Sequence, residues 1–139
     1  MAIPHATAYG KINLALHVRK RREDGYHELE TVFAFLDQGD ALSMEKADRF
    51  SLALEGQFSS GLAVEDSESN LIYRAAKLYR NGDVPPVAFR LDKKLPIAAG
   101  LGGGSADAAA ALRLLNENSD APLGAKEMHA IAAKLGADV

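Results

Sequence analysis

Gly100, Gly102, Gly103 and Gly104 put four glycines within five residues, just ahead of Ser105 and an alanine-rich run. Pro96 precedes them, and the β-type run Val87-Ala88-Phe89-Arg90-Leu91 stands before that. Strand, glycine loop, helix is a layout that binds anions. Without Cβ atoms, backbone N–H groups can approach a phosphate closely. The helix that follows adds unpaired first-turn N–H groups and the positive end of its dipole. A phosphate-bearing ligand such as a nucleotide fits this chemistry. Two phosphate motifs are excluded by spacing. A Walker A loop needs Gly-Lys-Ser/Thr, and here Gly104 leads into Ser105 and Ala106. A dinucleotide fingerprint needs glycine where Ser105 stands and an acidic residue after a later strand, whereas Asp120 follows a helix. The same glycines would also serve as a turn that caps a helix.

Three further segments carry reactive groups. Lys11 and Asn13 are two apart in an alternating run, so on a strand they share a face, with Ile12, Leu14 and Leu16 on the other. A solvated polar face would look the same. Tyr26 and His27 follow the turn signal Asp24-Gly25. There they offer a stacking plane and a donor–acceptor pair for a base edge, or form an ordinary turn. Asp138 lies just past the helix-ending Gly136, where a carboxylate can cap or do chemistry. Asp107, expected in the first helical turn, suits the dipole but repels phosphate. It is expected to face away and cap or pair.

These groups need elements to position them. Periodicity predicts strands over 8–18 and 29–36, a hairpin of 41–46 with 50–55 joined through Asp48, and a strand over 87–91. Helices are expected over 70–80, 105–116 and 126–135. In the first, Leu71, Ala75 and Leu78 share a face, and Gly82 suits its end. The polar stretch 56–69 reads as a surface loop. Strands first, then β–loop–α and a further helix, predicts an α+β or mixed α/β domain rather than a regular alternation.

At 139 residues, one domain covers the chain, 1–139. Apolar content of 47% and charged content of 25% are those of a soluble globular protein. A net charge of −3 supplies no basic field for nucleic acid or an anionic membrane. The absence of cysteine removes disulfides, thiolate nucleophiles and Cys-based metal sites, and is compatible with a reducing cytoplasm. No secretion signal is visible and no apolar run approaches the ~20 residues of a membrane span.

Taken together, Pro96, Gly100-Leu101-Gly102, Gly103-Gly104-Ser105 and Ala106 resemble the glycine loop of the GHMP kinase superfamily. The forms Lys11-Ile12-Asn13-Leu14, Asp24-Gly25-Tyr26-His27-Glu28-Leu29, Asn70-Leu71-Ile72 and Leu135-Gly136-Ala137-Asp138 narrow the resemblance within it. They point to a branch that phosphorylates the 2-hydroxyl of a cytidine-diphosphate-linked methylerythritol on the way to isoprenoids. The resemblance implies a fold like ribosomal protein S5 domain 2. It also implies ATP and Mg²⁺ as cofactors, a small-molecule partner and a C-terminal half of the same protein.

Residue by residue, the resemblance makes Lys11 and Asp138 a catalytic pair. Asn13 would hold the methylerythritol end, with Thr31 and Phe33 nearby. Tyr26 would stack on cytosine and His27 would hydrogen-bond its edge. ATP would be bound by Pro96, Gly100, Leu101, Gly102, Gly103, Gly104 and Ser105, with Asn70 and Lys93 toward the adenosine. The chain departs from the family at Tyr9-Gly10, where Pro-Ala is usual. Another GHMP small-molecule kinase and an inactive nucleotide-binding fragment remain alternative readings.

Overall fold

The alternating run around Lys11 becomes a much longer strand than its apolar period predicts. A computed structural model describes residues 3–21, 23, 27–56, 70–96, 103–136 and 139, with side chains described outside 12–21 and 27–33. Strand β1 (His5–Arg21) pairs antiparallel with β2 (His27–Lys46), and β3 (Ser51–Glu55) follows. Helix α1 (Leu71–Tyr79), strand β4 (Val87–Asp92) and helices α2 (Gly103–Glu117) and α3 (Ala125–Leu135) complete the order. The strands form one four-stranded mixed sheet in the order β1-β2-β4-β3. The expected mixed α/β class holds, with one parallel β3-α1-β4 unit at the sheet edge.

The expected hairpin of 41–46 with 50–55 does not form. Residues 41–46 are the end of β2, and β4 lies between them and β3. Ser43 pairs with His5 on one side and Arg90 on the other. After β2, the Ala47 N–H still donates to the Pro86 carbonyl at 3.0 Å, so the chain runs on beside β4 instead of folding back on β2. Phe50 then turns into the core. Its ring meets Tyr73 edge-on at 5.3 Å and Phe89 at 6.0 Å. That anchoring carries β3 to the far side of β4, where Leu52 and Leu54 pair with Phe89 and Leu91.

The core lies on one sheet face. Leu42, Met44, Leu52, Phe89 and Leu91 of the sheet pack against Ile72 and Ala76 of α1 and Ala110, Ala111, Leu114 and Leu115 of α2. Ser51, Ala53, Glu55 and Arg90 point outward, as the period of two requires. Ala75, Ala108, Leu112 and Leu135 form a second cluster joining the three helices. The alanines of α2 are packing residues that let the helix approach closely. Phe89 is 1% exposed at the centre of this core. Phe89→Ala is expected to cost ~3–5 kcal/mol, read as a shift in the urea midpoint.

Local chemistry sets the helix ends. The Asn70 side chain caps α1, its Oδ1 accepting the N–H groups of Ile72 at 2.8 Å and Tyr73 at 3.3 Å. At the other end, Gly82 N–H donates to the Lys77 carbonyl and Asn81 N–H to the Leu78 carbonyl. These are the paired bonds of a Schellman motif, with Asn81 left-handed at φ 55°. Gly82 follows the cap as expected, but Asn81 makes the turn. Helix α2 starts at Gly103, two residues before the expected start, so the last glycines belong to its first turn and Asp107 to its second.

Candidate functional site

Gly104 shows what the glycine motif leaves room for. A Cβ there would meet only Leu71 Cδ1, at 3.8 Å. Packing within the described residues therefore does not require glycine at 104. The first N–H groups of α2 have no partner within the helix. Together these leave a donor-rich, open helix start beside the start of α1, since Leu71 follows the Asn70 cap. Gly100, Leu101 and Gly102 lie outside the described residues, as do Tyr26 and Asp138. The side chains of Asn13 and His27 are likewise outside the description.

Helix α2 packs against β1, the strand that carries Lys11. The ladder is irregular here: Tyr9 pairs with Gly39 but Lys11 pairs with Phe35, so Gly10 faces the three residues 36–38 of β2. A Cβ at Gly10 would sit 3.1 Å from both Leu36 Cδ1 and Leu95 Cδ1. Gly10 thus lets Leu95 pack directly against the strand that carries Lys11. Leu95 immediately precedes Pro96, which is exposed at the start of the glycine motif. Gly39 is obligatory for a different reason: a Cβ there would come within 2.2 Å of the Ala8 carbonyl oxygen. Lys11 and Asn13 stand in register with Phe35 and Phe33 on an unshifted stretch, but the ladder shifts again between Asn13 and Ala15. The simple alternation through Leu14 and Leu16 is broken there.

Lys93 is placed differently from the expectation. It was expected toward the adenosine, yet it is 3% exposed and its ammonium is inside the protein. Nζ donates to Asp40 Oδ2 at 2.6 Å and to Asp107 Oδ2 at 3.1 Å. The side chain is therefore occupied by two buried carboxylates and is removed from the ligand-contacting set. Asp107 pairs, as its repulsion for phosphate predicted. Asp40 carries no local signal; it is one acidic residue in a strand, and only its position after Gly39 sets it apart. Its Oδ1 accepts the backbone N–H groups of Lys94 at 2.8 Å and Leu95 at 2.9 Å. Asn70 keeps its Oδ1 on the α1 cap, which leaves its amide N–H groups for any ligand contact.

Two carboxylates share one ammonium, and the charges settle unequally. Burial pushes the Asp107 carboxyl up to about 8, reinforced by the hydrogen bond and charge of Asp40 and only partly offset by Lys93. No donor reaches its buried Oδ1 among the described residues, as suits a carboxyl that keeps its proton. Burial also works against the Asp40 carboxylate. Hydrogen bonds from Asp107, Lys93 and the N–H groups of Leu95 and Lys94 outweigh it, and its pKa falls below the ordinary value. For Lys93, burial is outweighed by the two carboxylates, Asp40 foremost, and its pKa rises. No group of three or more His, Asp or Glu that could hold a metal occurs among the described residues.

Comparison with known proteins agrees with this layout. Residues 70–139, half of the chain, match the family model described as the GHMP kinases N terminal domain. The 4-diphosphocytidyl-2-C-methyl-D-erythritol kinase of Rhizorhabdus wittichii is 51% identical over 138 residues, covering 98% of this chain and 47% of that protein. A crystal structure of 4-(cytidine 5'-diphospho)-2C-methyl-D-erythritol kinase superposes with a TM-score of 0.71 at 43% identity, over 98% of this chain and 47% of that one. The homoserine kinase of Cytophaga hutchinsonii, at 19% identity and a TM-score of 0.62 over 74% of this chain and 34% of its own, shares the fold. The chain spans just under half the length of the first two. With the glycine motif opening α2 and the matched domain running from the cap of α1 to Val139, the chain belongs to the GHMP kinases.

Proposed function

We propose that this chain supplies the nucleotide site and one side of the acceptor site of a 4-diphosphocytidyl-2-C-methyl-D-erythritol kinase. The observation that carries the reading is the 51% identity to a protein of that name over 98% of the chain. The reaction moves the γ-phosphoryl group of ATP to the 2-hydroxyl of the cytidine-diphosphate-linked methylerythritol, a step of isoprenoid biosynthesis. A further half, matching the remainder of the relatives, completes the cytidine pocket. No described helix is long and apolar enough to cross a membrane, and we assign the enzyme to the cytoplasm.

The chain's own residues act by positioning and charge. N–H groups from Gly100 to Ser105 hold the β- and γ-phosphates, and the open space at Gly104 admits them closely. Mg²⁺ would arrive on the nucleotide, keeping several waters, since no described group of acidic residues forms a cage for it. Bound with the nucleotide, it would offset phosphate charge. Asp138 accepts the proton of the 2-hydroxyl as that oxygen bonds to the γ-phosphorus. The bond to the bridging oxygen breaks, and ADP leaves with the electron pair. Lys11 keeps Asp138 ionised and offsets charge on the moving group. Asn13 holds the methylerythritol end, Tyr26 stacks on the cytosine and His27 bonds its edge. Asn70 lies toward the adenosine.

The test is a coupled assay of ADP release by the full-length protein. Turnover with the cytidine-linked alcohol and none with homoserine or galactose is expected; the reverse pattern would assign another member of the family. Gly104→Ala checks the phosphate contact separately. It is expected to raise the KM for ATP by ~10-fold or more, while the melting temperature stays level or rises, because alanine is the better helix residue by ~0.5–1 kcal/mol. An unchanged KM would remove Gly104 from the site.

A further inference from the structure

We propose that Asp40, Lys93 and Asp107 are positioning residues for nucleotide binding: a buried brace that holds the two flanks of the glycine-rich segment together. This rests on the nucleotide reading above. The three side chains come from β2, the residue after β4, and α2. Their side-chain exposures are 0%, 4% and 5%, so no ligand reaches them. The Lys93–Asp107 bridge joins residues 14 apart in sequence and closes the chain around the whole motif from Lys94 to Ala106. On the leading flank, Asp40 Oδ1 takes the N–H groups of Lys94 and Leu95, and Lys93 N–H donates to the Glu55 carbonyl at 2.8 Å. On the trailing flank, Asp107 stands two residues beyond Ser105, in the second turn of the helix whose start faces the phosphates.

A purely stabilising role is a poor account of this cluster. Buried ion pairs are often no better for stability than well-packed apolar side chains. Here a second carboxylate crowds the single ammonium, and Asp107 Oδ1 has no donor among the described residues. What the arrangement does supply is direction. Charged hydrogen bonds fix Leu95 and α2 relative to one strand, so the start of α2 is held at a set distance from Leu95. Precise placement matters because misplacing phosphate donors by about 1 Å can cost on the order of 10²-fold in rate.

The test compares Asp107→Leu and Asp107→Asn in the full-length protein. Two readouts are needed: KM for each substrate, and hydrogen exchange of the ligand-free protein. Asp107→Leu is expected to raise the KM for ATP by ~10-fold, leave that for the alcohol substrate within ~2-fold, and speed exchange over 95–104 more than over β3 or α3. Asp107→Asn keeps an oxygen for the Lys93 ammonium and is expected to restore both within ~2-fold. If Asp107→Leu does not fold, Asp107→Ala takes its place with the same expectations. A lowered melting temperature with unchanged KM for ATP and unchanged exchange over 95–104 overturns the proposal, as does an asparagine variant no better than leucine. A wild-type protein that binds no Mg·ATP overturns the nucleotide reading instead. In that protein, selective exchange in Asp107→Leu still supports the brace.

Discussion

Lys11→Ala in the full-length protein is expected to lower kcat by on the order of 10²–10⁴-fold, with a much smaller change in the KM for ATP. Asp138→Asn is expected to do the same. The argument starts from position. Lys11 leaves the β1 bulge directly after Gly10, whose missing Cβ admits Leu95 and so brings the start of the glycine motif against this strand. In the proposed mechanism a cation there acts on charge that develops during transfer, so its loss is expected in kcat rather than in nucleotide affinity. In the proposed mechanism Asp138 takes the proton, and an amide cannot. The two act on one event, so the double variant is expected to lose little more than either single one. Steady-state kinetics with both substrates varied checks this. An unchanged kcat in both single variants would remove the pair from the mechanism.

Lys93→Met is expected to cost ~3–5 kcal/mol of stability, because it leaves the Asp40 carboxylate in the interior without its cation. Asp40 would keep the Lys94 and Leu95 N–H groups. Asp107 would keep no partner but Asp40. The same cluster predicts how the wild-type protein responds to pH. Folded Asp107 holds its proton up to about pH 8, while its ordinary value is 3.8, so the folded state binds more protons between those values. Stability is then fully present at the acid end of that window and declines as pH rises through 8. Asp40, with its lowered pKa, contributes stability that is lost only as pH falls below the ordinary carboxylate range. Lys93, with its raised pKa, contributes stability lost only above 10.5. Between pH 5 and 9 Asp107 is thus the member of the cluster that titrates. Urea midpoints across that range are expected to fall with pH in the wild type and to flatten in Asp107→Asn. A wild-type curve that rises over the window would show that Asp107 is ionised in the folded protein.

Much of the site was written in local sequence. The glycine run, Pro96 and Ser105 lead into the helix start that the structure shows at Gly103, because a glycine-rich turn and a helix start are properties of adjacent residues. The Asn70 cap and the turn at Asn81–Gly82 are legible for the same reason: their hydrogen bonds span two to five residues. The apolar period of 70–80 placed Ala75 on the buried face of α1, where the structure has it. Asp107 is expected from sequence to face away and cap or pair, and it pairs with Lys93.

Other features depend on which distant segments meet. Residues 41–46 and 50–55 are both good strands separated by a short polar connection, and period alone favours joining them. The ladder hydrogen bond is the same whatever strand supplies the partner, so local pattern cannot say that β4 slots between them. The burial of Phe50 against Tyr73 and Phe89 decides it. Lys93 looks like any lysine beside a phosphate loop, and Asp40 like any strand aspartate, because an ion pair between residues 53 apart leaves no trace in spacing. By itself, then, the sequence determined the glycine motif, the helices with their caps, and the family resemblance, all of which arise from short-range bonding and periodicity. The tertiary structure alone decided the strand order, the close approach of Leu95 to Gly10 on β1, and the buried Asp40–Lys93–Asp107 brace. Each of these depends on long-range packing, where the energy lies in which surfaces exclude water together rather than in any residue's neighbours along the chain.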